Sequence, residues 1–301
     1  MLKARQETNV RGAGLLVHIS SLPSAFGIGD MGPEAKQFAD FLYRTKQKFW
    51  QLLPLNPTEE GQGYSPYSAL SSKAGYPLLI SPELLAKDGL LKAEDLRTRR
   101  LPKESHTDFV DAERVKEELF EMAFTNFLHD KENPLHEAYK LFIKTEKEWL
   151  DDFALFMQLK KVHEGKPWFD WPGEFKKRDE EALKKFGQKH SRELKKIKWL
   201  QFIFARQWHE LRSYCNKRNI RFIGDLPFYI SYDSSDVWAA RQIFAIDEEG
   251  KRTGVAGVPP DAFSDDGQLW GMPVFRWDVL KESGYAWWIG RLRKNIELFD
   301  L

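Results

Sequence analysis

Three short apolar runs, each closed by turn-forming residues, constrain this chain more than any other feature. They are Gly14-Leu15-Leu16-Val17-His18-Ile19, Phe49-Trp50-Gln51-Leu52-Leu53-Pro54-Leu55, and Ile220-Arg221-Phe222-Ile223-Gly224-Asp225-Leu226-Pro227. Runs this short and this apolar read as strands buried in a parallel sheet. Between the first two, Ala35, Phe38, Ala39 and Leu42 fall at helical spacing behind Pro33, which suits a helix start. Strand, glycine-rich loop, helix and strand form one βα unit followed by its parallel partner, so the fold class expected is α/β.

The pattern changes between Pro82 and Lys217. Trp149, Phe153, Phe156 and Leu159 or Lys160 step round one helix face, and Ile197, Leu200, Phe204, Trp208 and Leu211 recur at spacings of three and four. This stretch is too long for a simple connection. It reads as a helical insertion, residues 82–217, separating the first part of the sheet, residues 1–81, from its continuation, residues 218–301. Beyond the third run, Asp233 to Trp238 suggests a helix start and Gly257 to Pro273 a loop. Tyr285 to Phe299 forms an amphipathic helix, and Asp300-Leu301 then falls where a fourth strand is expected.

Composition narrows function by exclusion. Lys+Arg (46) and Asp+Glu (45) nearly cancel, so no global charge draws the chain to nucleic acid or to an anionic membrane. The single cysteine, Cys215, excludes an internal disulfide framework and suits a reducing compartment. Met1 to Arg11 is polar, without the apolar core of a signal peptide, and no apolar stretch is long enough to span a bilayer. A cytoplasmic protein is expected. No ligand cluster for a metal or cofactor is visible. Aromatic residues make up 14% of the chain, which serves either a bulky core or, for a few rings, platforms for sugar faces.

Asp225 lies at the C-terminal end of the third run, the side on which parallel β/α proteins bind ligands. On position alone it is either a site carboxylate or a turn residue. The loop Gly61-Gln62-Gly63-Tyr64-Ser65-Pro66-Tyr67 brings two aromatics to the same face, or packs on itself. Asp261, Gln268 and Trp270, between glycine hinges, have the composition of a mobile polyol-binding lid or of an ordinary connection around a buried Trp. Two other features read as solvated helix faces: His129-Asp130, and the basic segment Lys184 to Lys198, which no RNA-binding signature accompanies.

Taken in order, four motifs resemble the 4-α-glucanotransferases, also called amylomaltases or disproportionating enzymes. They are Arg11-Gly12-Ala13-Gly14-Leu15-Leu16-Val17-His18-Ile19-Ser20-Ser21-Leu22-Pro23-Ser24, Tyr64-Ser65-Pro66-Tyr67, Gly224-Asp225-Leu226-Pro227, and Gly257-Val258-Pro259-Pro260-Asp261 running into Gly267-Gln268-Leu269-Trp270-Gly271. The resemblance covers essentially the whole chain. It implies a (β/α)8 TIM-type barrel, here incomplete at about the first three βα units, with a large helical insertion. It also implies transfer of α-1,4-glucan segments (maltodextrins, starch or glycogen fragments) by a retaining mechanism. On that resemblance Tyr67 is a sugar-stacking residue, Asp225 lines the cleft, and Asp261, Gln268 and Trp270 are glucan contacts. Ala262 and Met272 depart from the Tyr and Asn that the family usually carries there.

A retaining transfer needs two carboxyl groups ~5–5.5 Å apart. The family's nucleophile belongs to an Arg-x-Asp-His-Phe strand, and the nearest match, Arg276-Trp277-Asp278, lacks the His-Phe. The expectation is therefore a chain that ends before its catalytic carboxylates and is inactive alone. The alternative of another class is a non-catalytic α-glucan-binding protein.

Overall fold

The computed structural model describes residues 11–301 apart from 103 and 105. Most of the polar N-terminal segment therefore lies outside the described residues. Strands β1 (Gly14–Leu16), β2 (Phe49–Gln51) and β3 (Arg221–Ile223) form a parallel sheet in the order β1-β2-β3. Leu15, Trp50 and Phe222 share one row of that register. On the helix side, Trp50 meets the Phe38 ring at 4.8 Å and Phe222 meets Trp208 at 4.8 Å. The strands are shorter than the apolar runs; Trp50 and Phe222 are buried on the helix side, whereas Leu15 in the same row is 38% exposed. On the opposite face Leu16 is 54% exposed and Gln51 is also exposed, because no second layer covers it among the described residues.

Helix α1 (Pro33–Arg44) crosses from β1 to β2, with Pro33 in its first turn and Ala35, Ala39 and Leu42 buried. Between β2 and β3 lie short α2 (Pro82–Lys87) and α3 (Ala93–Arg97), followed by α4 (Phe109–His129), α5 (Leu135–Thr145) and α6 (Lys147–Val162). Two further short helices, α7 (Gly173–Lys176) and α8 (Glu180–Lys189), precede the long α9 (Ser191–Asn216). The C-terminal part of α9 lies on α1, with Lys36 bonded to Glu210 at 2.6 Å and the Tyr214 hydroxyl to Asp40 at 2.8 Å. The helical stretch thus ends in the helix that crosses to β3. In the basic segment Lys184, Lys185, Lys189, Arg192 and Lys195 are exposed, as a solvated face requires, but Lys196 is buried and reaches Glu117 at 2.9 Å and Glu121 at 2.8 Å.

After β3 come α10 (Ser235–Ala239), the antiparallel hairpin β4 (Val255–Val258) and β5 (Gln268–Pro273), α11 (Trp277–Glu282) and α12 (Ala286–Leu298). The hairpin corrects the reading of Gly257 to Pro273 as one loop. Glycines and prolines masked the alternation, and a register shift between Val255 and Gly257 absorbs the irregularity. A side chain at Gly257 would collide with the Gln268 carbonyl of the partner strand. At the chain's end, Leu301 N–H donates to Phe222 O at 3.1 Å and Gly224 N–H donates to Leu301 O at 2.9 Å, a parallel pairing on the outer side of β3.

Two apolar clusters hold these parts. One joins the sheet to α1, α4 and α9; the other gathers Phe156, Trp168, Trp171, Trp238, Phe244, Phe275 and Trp288. Among the described residues no helix is long and apolar enough to cross a membrane.

Residues 75–81 run through the interior and are held by side chains from two helices. On α9, the Gln201 amide exchanges bonds with Gly75 N–H (2.8 Å) and C=O (2.9 Å). Gln207 does the same with Ser81 N–H (2.7 Å) and C=O (3.1 Å). Lys116 of α4, 0% exposed, donates to Leu78 O (2.7 Å), Ile80 O (3.0 Å) and Asp30 (2.9 Å). Burial lowers the pKa of this lysine, and Asp30 opposes that. Removing one member of such a pair strands the other's charge. Lys116→Met should therefore lower unfolding free energy by about 3–5 kcal/mol in a urea titration. Adding Asp30→Asn should restore part of the loss, because the stranded charge is then gone.

Candidate functional site

The candidate site forms where the three strands end. Residue 224 must be glycine, because a Cβ there would enter the Phe299 ring. The next residue, Asp225, accepts a hydrogen bond from the Tyr67 hydroxyl at 2.7 Å, across 158 positions of sequence. That bond is the leading cause of the raised Tyr67 pKa, so the phenol stays protonated at neutral pH. The Tyr67 ring remains 44% exposed. The loop's other aromatic, Tyr64, turns away and stacks on Phe109 of α4, with ring centroids 4.2 Å apart.

Gln268 and Trp270 lie together on β5, where Trp270 Nε1 donates to Gln268 Oε1 at 3.0 Å. Trp270 is 44% exposed, and its ring meets Tyr229 edge-on at 6.1 Å. Asp261 behaves differently. Its Oδ1 accepts from Phe263 N–H (2.8 Å) and Ser264 N–H (3.1 Å), so the carboxylate shapes the hairpin's tip. The structure brings Tyr67 to Asp225 and Gln268 to Trp270, whereas the side-chain bonds of Asp261 stay within its own turn. Of the two departures from the usual family pattern, Ala262 is exposed on that tip and Met272 lines a groove.

This groove, about 430 Å³, lies between the Tyr67 loop and β5, and is lined by Glu59, Gln62, Lys160, Phe169, Tyr232 and Trp270. Arg252 covers the Tyr232 ring at 4.6 Å, and Phe169 stacks on it at 4.3 Å. Sequence reasoning missed Glu59 and Asp233, and met Lys160 only as a position on an apolar helix face. The segment Asp233 to Trp238 does hold a helix start, where Ser234 caps α10, its hydroxyl accepting from Val237 N–H at 3.3 Å, but the sequence does not show the partners of Asp233. The one available signal for Lys160 was its place beside Phe156 and Leu159, where a lysine must find buried partners.

The groove is polar, flanked by aromatic rings, and beside the loops that follow the carboxyl ends of a parallel β/α sheet, the side on which β/α proteins bind their ligands. The chain belongs to the 4-alpha-glucanotransferase family, whose profile matches residues 17–301. It is 45% identical to the 4-alpha-glucanotransferase of Aquifex aeolicus, over 97% of this chain and 58% of that protein. With the Thermus thermophilus 4-alpha-glucanotransferase it shares 42% identity, over 97% and 57%. Among solved structures, an amylomaltase from Streptococcus agalactiae in complex with acarbose superposes with a TM-score of 0.91 at 38% identity, covering 97% of this chain and 58% of that one. The chain thus spans somewhat over half the length of these relatives.

His18 follows β1 at the same end of the sheet, and burial drives its imidazole from the ordinary 6.5 down to about 4. Among the described residues its buried Nδ1 has no hydrogen-bond partner. An unfolded chain takes up this proton near 6.5, and the folded chain only near 4. Stability should therefore fall as pH drops through that window and be indifferent to His18 above it. Thermal melts at stepped pH should show that acid slope in the natural chain and a flatter one in His18→Gln.

Proposed function

We propose that residues 1–301 supply the glucan-binding part of a 4-α-glucanotransferase, holding an α-1,4-glucan against Tyr67 and Trp270. The observation that carries this reading is the Tyr67–Asp225 bond at 2.7 Å, which sets an exposed aromatic ring beside a carboxylate at the ends of the strands. A sugar offers the matching chemistry, with apolar C–H faces to stack on rings and hydroxyls to bond carboxylates and amides. Trp270 supplies a second ring at the groove, with the Gln268 amide bonded to its indole N–H. Asp261 has its Oδ1 committed to the hairpin tip, so a glucan would meet its Oδ2. The acarbose complex of the Streptococcus amylomaltase supports the substrate class.

The reading extends to a (β/α)8 barrel of which these residues provide three βα units. It is supported by the strand order β1-β2-β3 and by the pairing of Leu301 outside β3. It also holds that this chain alone transfers no glucosyl units. In support, Asp278 of the near-match Arg276-Trp277-Asp278 sits in the first turn of α11 rather than on a strand. Its side chain is 69% exposed and bonded to Arg276 at 3.4 Å. Asp225 keeps a tyrosine on one oxygen, and Asp261 is occupied in its turn.

Calorimetric titration with maltoheptaose should show binding that Tyr67→Ala and Trp270→Ala each weaken by about 1–2 kcal/mol, roughly 5- to 30-fold in Kd. Binding that neither change weakens would place the glucan elsewhere. Chromatography of maltotriose incubated with purified residues 1–301 should recover maltotriose alone. Glucose together with longer maltodextrins would overturn the expectation of inactivity, since losing a nucleophile costs orders of magnitude in rate.

A further inference from the structure

Lys160 sits on α6, 5% exposed, beneath the groove. Its ammonium has three donors, and three segments each provide one acceptor. Glu59 Oε2 lies at 3.1 Å, from the loop after β2. Asp233 Oδ2 comes from the loop after β3. Gly165 O lies at 3.1 Å, from the turn that closes α6. We propose that Lys160 is a positioning residue through which the helical insertion holds the Tyr67 loop over Asp225.

The connection from Lys160 to Tyr67 runs through backbone. The Glu59 carbonyl accepts from Gln62 N–H (3.2 Å) and Tyr64 N–H (3.0 Å), which winds the turn at Glu60–Gln62. Ser65 N–H then donates to Gln62 O at 3.2 Å and Ser68 N–H to Ser65 O at 3.0 Å, and Tyr67 leaves that second turn toward Asp225. On the other side Asp233 Oδ1 accepts from Trp168 N–H at 3.1 Å, and the Trp168 indole donates to Tyr232 O at 2.7 Å. One ammonium thus sets the spacing between the two loops that carry Tyr67 and Asp225.

Energetics favour a geometric role over a purely stabilising one. Two carboxylates share one lysine, and burial raises the pKa of both Glu59 and Asp233 while Lys160 pulls each back. Buried ionic clusters of this kind repay their desolvation poorly, but their bonds are directional. Methionine at 160 would keep the packing and lose all three bonds. The loop would then be held by its own turns and by Tyr64 on Phe109.

The role of the loop rests on the glucan-binding reading, so the test has two readouts. Maltoheptaose affinity and amide hydrogen exchange would be measured on the full chain carrying Lys160→Met, Glu59→Gln, Tyr67→Ala, or Lys160→Met with Tyr67→Ala. Lys160→Met should weaken binding about tenfold, Glu59→Gln less, and the double variant should bind no worse than Tyr67→Ala alone. Exchange at Gln62, Tyr64, Ser65 and Ser68 should rise about tenfold or more, with β1, β2, β3 and α1 unchanged. Additive binding losses, or exchange that rises evenly across the chain, would overturn the proposal. If Lys160→Met does not fold, Glu59→Gln decides by the same local-exchange criterion. If the natural chain binds no maltoheptaose, the glucan reading fails, and exchange alone decides whether Lys160 positions the loop.

Discussion

Trp50 occupies the middle of the parallel sheet, and the placement of every candidate ligand contact depends on what it holds together. It is fully buried, with Phe38 of α1 on one side and Phe222 of β3, at 5.1 Å, on the other. Its indole N–H donates to Val17 O at 2.8 Å, just beyond β1. A single side chain therefore ties all three strands and the first crossover helix. Parallel strands need long crossovers to meet, and three-residue strands supply few ladder bonds. Large rings in one row compensate by joining sheet and helices into one apolar cluster. The loops at the strand ends inherit their spacing from that row.

The helical insertion is joined to this frame by polar side chains as much as by apolar packing. Gln201 and Gln207 pair with the backbone at Gly75 and Ser81, much as a neighbouring strand would. Lys116 closes the other side of that segment, and Lys160 reaches both the β2 and the β3 loops. Apolar contact is nondirectional and tolerates sliding, whereas an amide or ammonium with fully assigned partners admits one arrangement. The insertion, attached in this way, supplies one wall of the groove through Lys160, Gly165, Pro167 and Phe169.

Much of the aromatic content proves to be core. Trp50, Trp168, Trp199 and Trp238 are all buried, and Tyr64 is turned onto α4. Tyr67 and Trp270 are among the rings that stay exposed. The hairpin β4–β5 shows where reading local pattern falters. Its strands are interrupted by Gly257 and Gly271, and only the cross-strand pairing of Val258 with Gln268 reveals them. Asp261, expected from the resemblance to be a glucan contact, has its Oδ1 taken up by N–H groups of its own turn.

What the sequence determined by itself is whatever depends on neighbours in the chain. Apolar periodicity and proline and glycine punctuation marked the three strands, α1, α12 and the helical stretch before β3. The order of four motifs indicated the family, and with it Tyr67, Asp225, Asp261, Gln268 and Trp270 as residues of interest. The tertiary structure alone decided partnership: Tyr67 with Asp225 across 158 positions, and Lys160 with Asp233 across 73. Hydrogen bonds and ion pairs act over a few ångströms of space, and separation along the chain carries no record of that distance. A lysine on an apolar helix face signals that buried acceptors exist. Which carboxylates they are is settled only when the strands have brought their loops together.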